Sequence, residues 1–179
     1  MIFAAIVLMA GFSTTIMAQT KATKTTPAGA VLIVPMTITQ TAPLHFGSIT
    51  LLSTIAASTV TLPSSSTTRV FSAGVEAAGV SSDPATNAAY DVTGTYNETY
   101  ALTLPSSDIT LTEVGGTNAA TMTANAFTAA FTAAGSTATT STLSTAGTDD
   151  FTVGATLNLA IGQTAGIYAG TFDVTVDYN

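Results

Sequence analysis

From Leu32 onward the apolar residues recur at every second position. That is the period of a strand, whose successive side chains face opposite sides, and not the 3.6-residue period of a helix. Leu32, Val34, Met36 and Ile38 share one face. Pro35 among them restricts this strand to a sheet edge or a break, because proline has no N–H for the ladder. Leu44 and Phe46 predict a short strand before Gly47, and Val60 and Leu62 alternate with Thr up to Pro63. Ser64–Thr68 reads as a loop, Val70–Phe71 as a short strand and Asp83-Pro84 as a turn. Tyr90, Val92, Gly94 and Tyr96 alternate, and after Asn97-Glu98 the same parity resumes with Tyr100, Leu102 and Leu104 until Pro105.

The last third carries the cleanest pattern. Phe151, Val153, Ala155, Leu157, Leu159 and Ile161 occupy every second position, and Tyr168, Gly170, Phe172, Val174, Val176 and Tyr178 do so again. Polar residues between them give each strand one wet face, as in an antiparallel sheet. Phe151, Val153, Leu157, Leu159, Phe172, Val174 and Val176 are therefore expected in the core. Residues 118–147 are rich in Ala and Thr; Phe127, Ala129 and Phe131 fit a strand followed by a loop, although the four-residue spacing of the two Phe also suits a helical turn. About eight to ten short strands separated by Gly, Pro and Ser predict an all-β, immunoglobulin-like antiparallel sandwich.

Ahead of this pattern, Ile2–Phe12 (IFAAIVLMAGF) is apolar but only about half the roughly 20 residues of a bilayer span. At the N-terminus such a run reads as a signal-peptide core, with Ile16-Met17-Ala18 offering cleavage before Gln19. A buried helix is the competing reading, and no Lys or Arg precedes the run. The expected organisation is a signal peptide over 1–18, a flexible arm over 19–30 and one sandwich domain over 31–179, with no stable membrane span in the mature protein.

Composition narrows the function. Thr occurs 38 times and Ala 31 times in 179 residues, while charged residues make 7%, against about 25% in an ordinary soluble domain. Three basic residues (Lys21, Lys24, Arg69) face ten acids, so no basic face can form for nucleic acid. Without Cys there is no disulfide, thiolate ligand or Cys nucleophile. A triad needs a base, and the one histidine, His45, lies between Leu44 and Phe46 on the face opposite both, which predicts a solvent-facing strand residue. One His cannot make a zinc site. Asp149-Asp150 is expected to form a turn, and Asp173 and Asp177 to keep the last strand soluble. Glu76, Asp83, Glu98, Asp108 and Glu113 are scattered near turns without calcium-loop spacing. Asn97-Glu98-Thr99 matches a glycosylation sequon. No catalytic set, metal site or cofactor site emerges.

Four stretches occur in order: Leu44-His45-Phe46-Gly47, Tyr100-Ala101-Leu102-Thr103-Leu104-Pro105, Phe151-Thr152-Val153-Gly154-Ala155-Thr156-Leu157, and Gly166 through Asn179 (GIYAGTFDVTVDYN). Together they resemble the bacterial domain-of-unknown-function 4402 family, and more distantly the spore-coat-U-type and chaperone–usher pilins. The resemblance covers nearly all of the mature chain. It implies a secreted sandwich with a structural role, made beside a periplasmic chaperone and an outer-membrane usher; the disulfide pair of many pilins is missing here. The expected function is a non-enzymatic fibre subunit on the bacterial surface, a homo-polymer of identical subunits. Ala28, Ala30, Val31, Leu32, Ile33 and Val34 form the candidate donor strand. Phe172, Val174, Val176 and Tyr178 form the candidate assembly and chaperone strand. The alternative is a monomeric cell-surface or periplasmic adhesin or binding module, and Val31–Ile38 pairing within its own chain is the alternative to donation.

Overall fold

The computed structural model describes residues 21–52, 56–79, 83–116, 119–133 and 139–179. The chain divides into two units, Met1–Leu32 and Ile33–Asn179. In the first, residues 21–32 have no regular structure and are exposed, and the expected leader lies outside the described residues.

The second unit is an all-β, immunoglobulin-like sandwich with no helix among the described residues. Its strands are β1 (Thr37–Ala42), β2 (Ile49–Leu51), β3 (Ser58–Leu62), β4 (Val70–Phe71), β5 (Val75–Ala77), β6 (Ala88–Thr93), β7 (Thr99–Thr103), β8 (Ile109–Glu113), β9 (Thr121–Phe131), β10 (Thr140–Thr142), β11 (Thr148–Leu159), β12 (Tyr168–Ala169) and β13 (Thr175–Tyr178). One layer is an antiparallel sheet in the order β1-β6-β11-β9-β8-β12, with β3 and β4 continuing it beside β11. The other layer is in two pieces, β10-β7-β13 and β2-β5.

β11 organises the large sheet. One edge pairs with β9; the other pairs with β6 over Thr148–Val153 and with β3 over Ala155–Leu159. Gly154 marks the changeover, where a Cβ would collide with the Leu62 carbonyl. Opposite it, β9 carries a bulge at Ala126, whose φ of 50° lies in the left-handed region and accompanies the register shift between Gly154 and Thr156. Core residues fall in two groups along this strand. Phe151 and Val153 pack with Tyr90, Val92, Tyr100 and Leu102, while Leu157 and Leu159 pack with Phe46, Val60, Leu62 and Met122. Rings run along the large sheet, where Phe151 stacks on Tyr90 at 5.2 Å and meets Phe131 at 5.3 Å, and Phe131 meets Tyr100 of the other layer at 6.1 Å; Phe172, between β12 and β13, meets Phe127 at 4.9 Å.

Several expectations are corrected. Tyr168–Tyr178 is not one strand: β12 pairs with β8 in the large sheet, and β13 pairs with β7 in the other layer. The intervening residues cross between layers, and at Gly170 a Cβ would stand 2.6 Å from the Thr110 carbonyl. Phe172, Val174 and Val176 are half-buried rather than fully enclosed, unlike Phe151, Val153, Leu157 and Leu159. β11 stops at Leu159, and Ile161 sits exposed in a turn closed by Gly162 at φ 73°. Leu44–Phe46 makes only a bridge, His45 to Thr86, with two backbone bonds of 2.8 Å. Leu32 and Val34 are outside β1, which lies at a sheet edge as Pro35 requires. Asp149-Asp150 lies within β11, where Asp149 is buried.

Candidate functional site

An apolar groove of about 690 Å³ opens at the Leu159 end of β11. Its floor comes from the large sheet, with Ile109 and Leu111 of β8, Met122 and Ala124 of β9, and Leu157 and Leu159 of β11. Alternation produces this floor directly, since each pair is two residues apart and shares a face. One wall is Leu44–Leu51 and the other is drawn from Gln163–Phe172. β2, whose Ile49 and Leu51 line the groove, pairs among the described residues only with β5, so its other edge is unpaired. An unpaired strand edge is a template for another strand.

Both walls are braced from behind. Arg69 donates through one guanidinium nitrogen to the carbonyls of Phe46 at 2.7 Å and Ser48 at 2.8 Å, and its guanidinium lies 5.0 Å from the centre of the Phe71 ring. Gly47 between those carbonyls has φ 69°, and a Cβ there would press on the Ala85 nitrogen at 2.8 Å. On the other side, the Tyr168 hydroxyl accepts from Gln163 Nε2 and donates to the Thr164 carbonyl, each at 2.7 Å.

His45 stands beside the groove without the geometry of a catalytic base. Its Nδ1 lies 3.0 Å from the Gly47 N–H nitrogen and 3.3 Å from the Pro84 carbonyl oxygen, and its Nε2 lies 3.6 Å from Asp83 Oδ2. Neither nitrogen meets a hydroxyl. Asp173 and Asp177 are exposed as expected. Among the described residues no three His, Asp or Glu side chains gather in a metal-binding group.

The two candidate segments meet at one point, the hydrogen bond between Val34 and Tyr178. Ala28 and Ala30 are exposed, and Val31, Leu32, Ile33 and Val34 are 89%, 93%, 62% and 55% exposed. Val34 is nonetheless anchored: its N–H donates to Thr95 Oγ1 at 2.6 Å, and its carbonyl accepts from the Tyr178 hydroxyl at 2.7 Å. That hydroxyl also accepts from the Thr95 N–H at 2.6 Å. Phe172 lines the groove, while Val174, Val176 and Tyr178 pack on the core half around Tyr100 and Phe151. Sequence reasoning missed Asp149 and Glu113 as inward-facing groups. Parity carried the signal, because Asp149 is in phase with Phe151 and Val153, and Glu113 with Ile109 and Leu111.

Fold and groove together define a two-layer immunoglobulin-like domain with an opening in one layer. Residues 36–178 match the family described as Domain of unknown function (DUF4402), and the chain belongs to that family. No curated protein and no solved structure matches it.

Proposed function

We propose that this protein is a structural subunit of a bacterial surface fibre, polymerising by donation of its N-terminal strand to the neighbouring subunit. The observation that carries the reading is the apolar groove beside the unpaired edge of β2. Uncovered apolar side chains support it: Val31–Val34 on one segment, and Ile167, 75% exposed, in the groove lining. A strand laid in the groove places alternate side chains on the floor while its backbone pairs with the β2 edge.

On this reading the run fills the groove of a second copy, and transfer between copies is head-to-tail and open-ended. The distant resemblance to chaperone–usher pilins agrees, with a periplasmic chaperone covering the groove and β13 until an outer-membrane usher passes the subunit to the surface.

Deleting Gln19–Ile33 from the full chain tests the reading. The expected result is loss of multimers, with a folded domain that binds a synthetic Ala28–Val34 peptide. A full-length chain that stays monomeric, or a deletion that still forms the same multimers, overturns it.

A further inference from the structure

Charge is divided unevenly along this chain. All ten acids lie in residues 33–179, where Arg69 is the one Lys or Arg; Lys21 and Lys24 are the chain's lysines, and nothing acidic precedes residue 33. Arg69 is committed to the Phe46 and Ser48 carbonyls. Carboxylates border the groove instead. Asp83 lines it with its side chain 65% exposed, and Asp173 follows the lining residue Phe172. Glu113 ends the inward row of Ile109 and Leu111, its carboxylate packed so close to Gly166 that a Cβ there would meet Oε1 at 2.7 Å. Oε2 of Glu113 is a buried side-chain oxygen with no hydrogen-bond partner among the described residues. A carboxylate with no hydrogen-bond partner for one oxygen is costly, and a cation nearby lowers that cost through its field.

Building on the fibre reading above, we propose that Lys21 and Lys24 of one copy steer its arm toward the next copy's groove through the field of the carboxylates around it, Asp83 at the lining and Glu113 behind Gly166. The occupant is a second copy of this chain, because its lysines stand just ahead of its uncovered apolar run. Lys24 precedes Ala28 by four residues, roughly 13 Å of extended chain, so an arm seated from Ala28 onward carries the ammonium group to the rim. Opposite charges on arm and rim raise the encounter rate by 10-fold or more, an effect that salt removes.

The test follows assembly of the purified full chain by light scattering at about 20 mM and about 0.5 M salt. Lys21→Gln/Lys24→Gln and Asp83→Asn/Glu113→Gln variants are run beside it. The expected result is a roughly 10-fold slower wild-type assembly at high salt, and variants equally slow at both salt levels. Circular dichroism checks that each variant is folded, and the arm variant, altered only at exposed positions, keeps the test valid if the rim variant does not fold. Arm-dependent assembly that is equally fast in the arm variant and unaffected by salt overturns the steering while leaving the fibre reading in place. Assembly unchanged by arm deletion removes the fibre reading, and the steering with it.

Discussion

The Tyr100 hydroxyl donates to Oδ2 of Asp149 at 2.8 Å, across the sandwich from β7 to β11. The Ser141 hydroxyl donates to the same oxygen at 2.5 Å, and all three residues are buried. Replacing Tyr100 by Phe keeps the ring and removes one donor, at an expected cost of about 1–2 kcal/mol. Asp149→Ala removes the acceptor that both hydroxyls share and costs about 2–3 kcal/mol. Urea unfolding measures both; losses under about 0.5 kcal/mol would mean that the tie is not formed in solution.

The same environment sets an alkaline limit. Burial, followed by the hydrogen bond to and charge of Asp149, pushes the Tyr100 hydroxyl well above the ordinary tyrosine value, and burial raises Tyr90 as well. A raised folded-state value means the native protein holds a proton that the unfolded chain releases more easily. The resulting stability is complete below about pH 10, the unfolded value, and is lost as pH rises from there toward the folded value. Tyr100→Phe should therefore flatten the fall in melting temperature above pH 10. A wild-type protein equally stable at pH 9 and pH 11 contradicts the argument.

Arg69 braces one wall of the groove through two carbonyls and the Phe71 ring. Arg69→Ala is expected to lose about 2 kcal/mol in thermal or urea unfolding. Arg69→Lys should recover less than half, because an ammonium group lacks the planar guanidinium face that lies on the ring while one nitrogen serves both carbonyls. Full recovery by Lys would reduce the bracing to charge alone.

Phe172, between β12 and β13, makes its ring contact with Phe127 while lining the groove. Half-buried, it should contribute less than an enclosed Phe, so Phe172→Ala is expected to cost about 2 kcal/mol. Phe151→Ala, wholly inside, should cost about 3–5 kcal/mol. Equal losses would show that the groove closes over Phe172 in solution.

Strand periodicity made the large sheet readable before any coordinates. The alternation of Phe151 to Leu159 yields β11, and the parity of Phe127, Ala129 and Phe131 yields the second half of β9. Alternation reports which face a residue occupies, however, and not which strand it pairs with. Tyr168–Tyr178 keeps one parity throughout and still serves two sheets, because the crossing at Gly170 leaves the phase unchanged. The groove was beyond reach for the same reason. Its walls depend on which edges stay unpaired, and on Arg69, a loop cation whose carbonyl partners lie more than 20 residues away. The exposed Val31–Val34 run could be seen in the sequence as apolar and β-prone, but its anchor on Tyr178 joins positions 144 apart.

That anchor also fixes how the domain carries tension. A pull on residues 21–33 reaches the sandwich at Val34, where its hydrogen bonds to Thr95 and Tyr178, themselves joined by a third, lie ahead of the β1–β6 ladder. Load is thus divided between the first strand and the last before either is stripped from its sheet. Breaking the Tyr178 contact would direct the whole force onto β1, an edge strand with one partner.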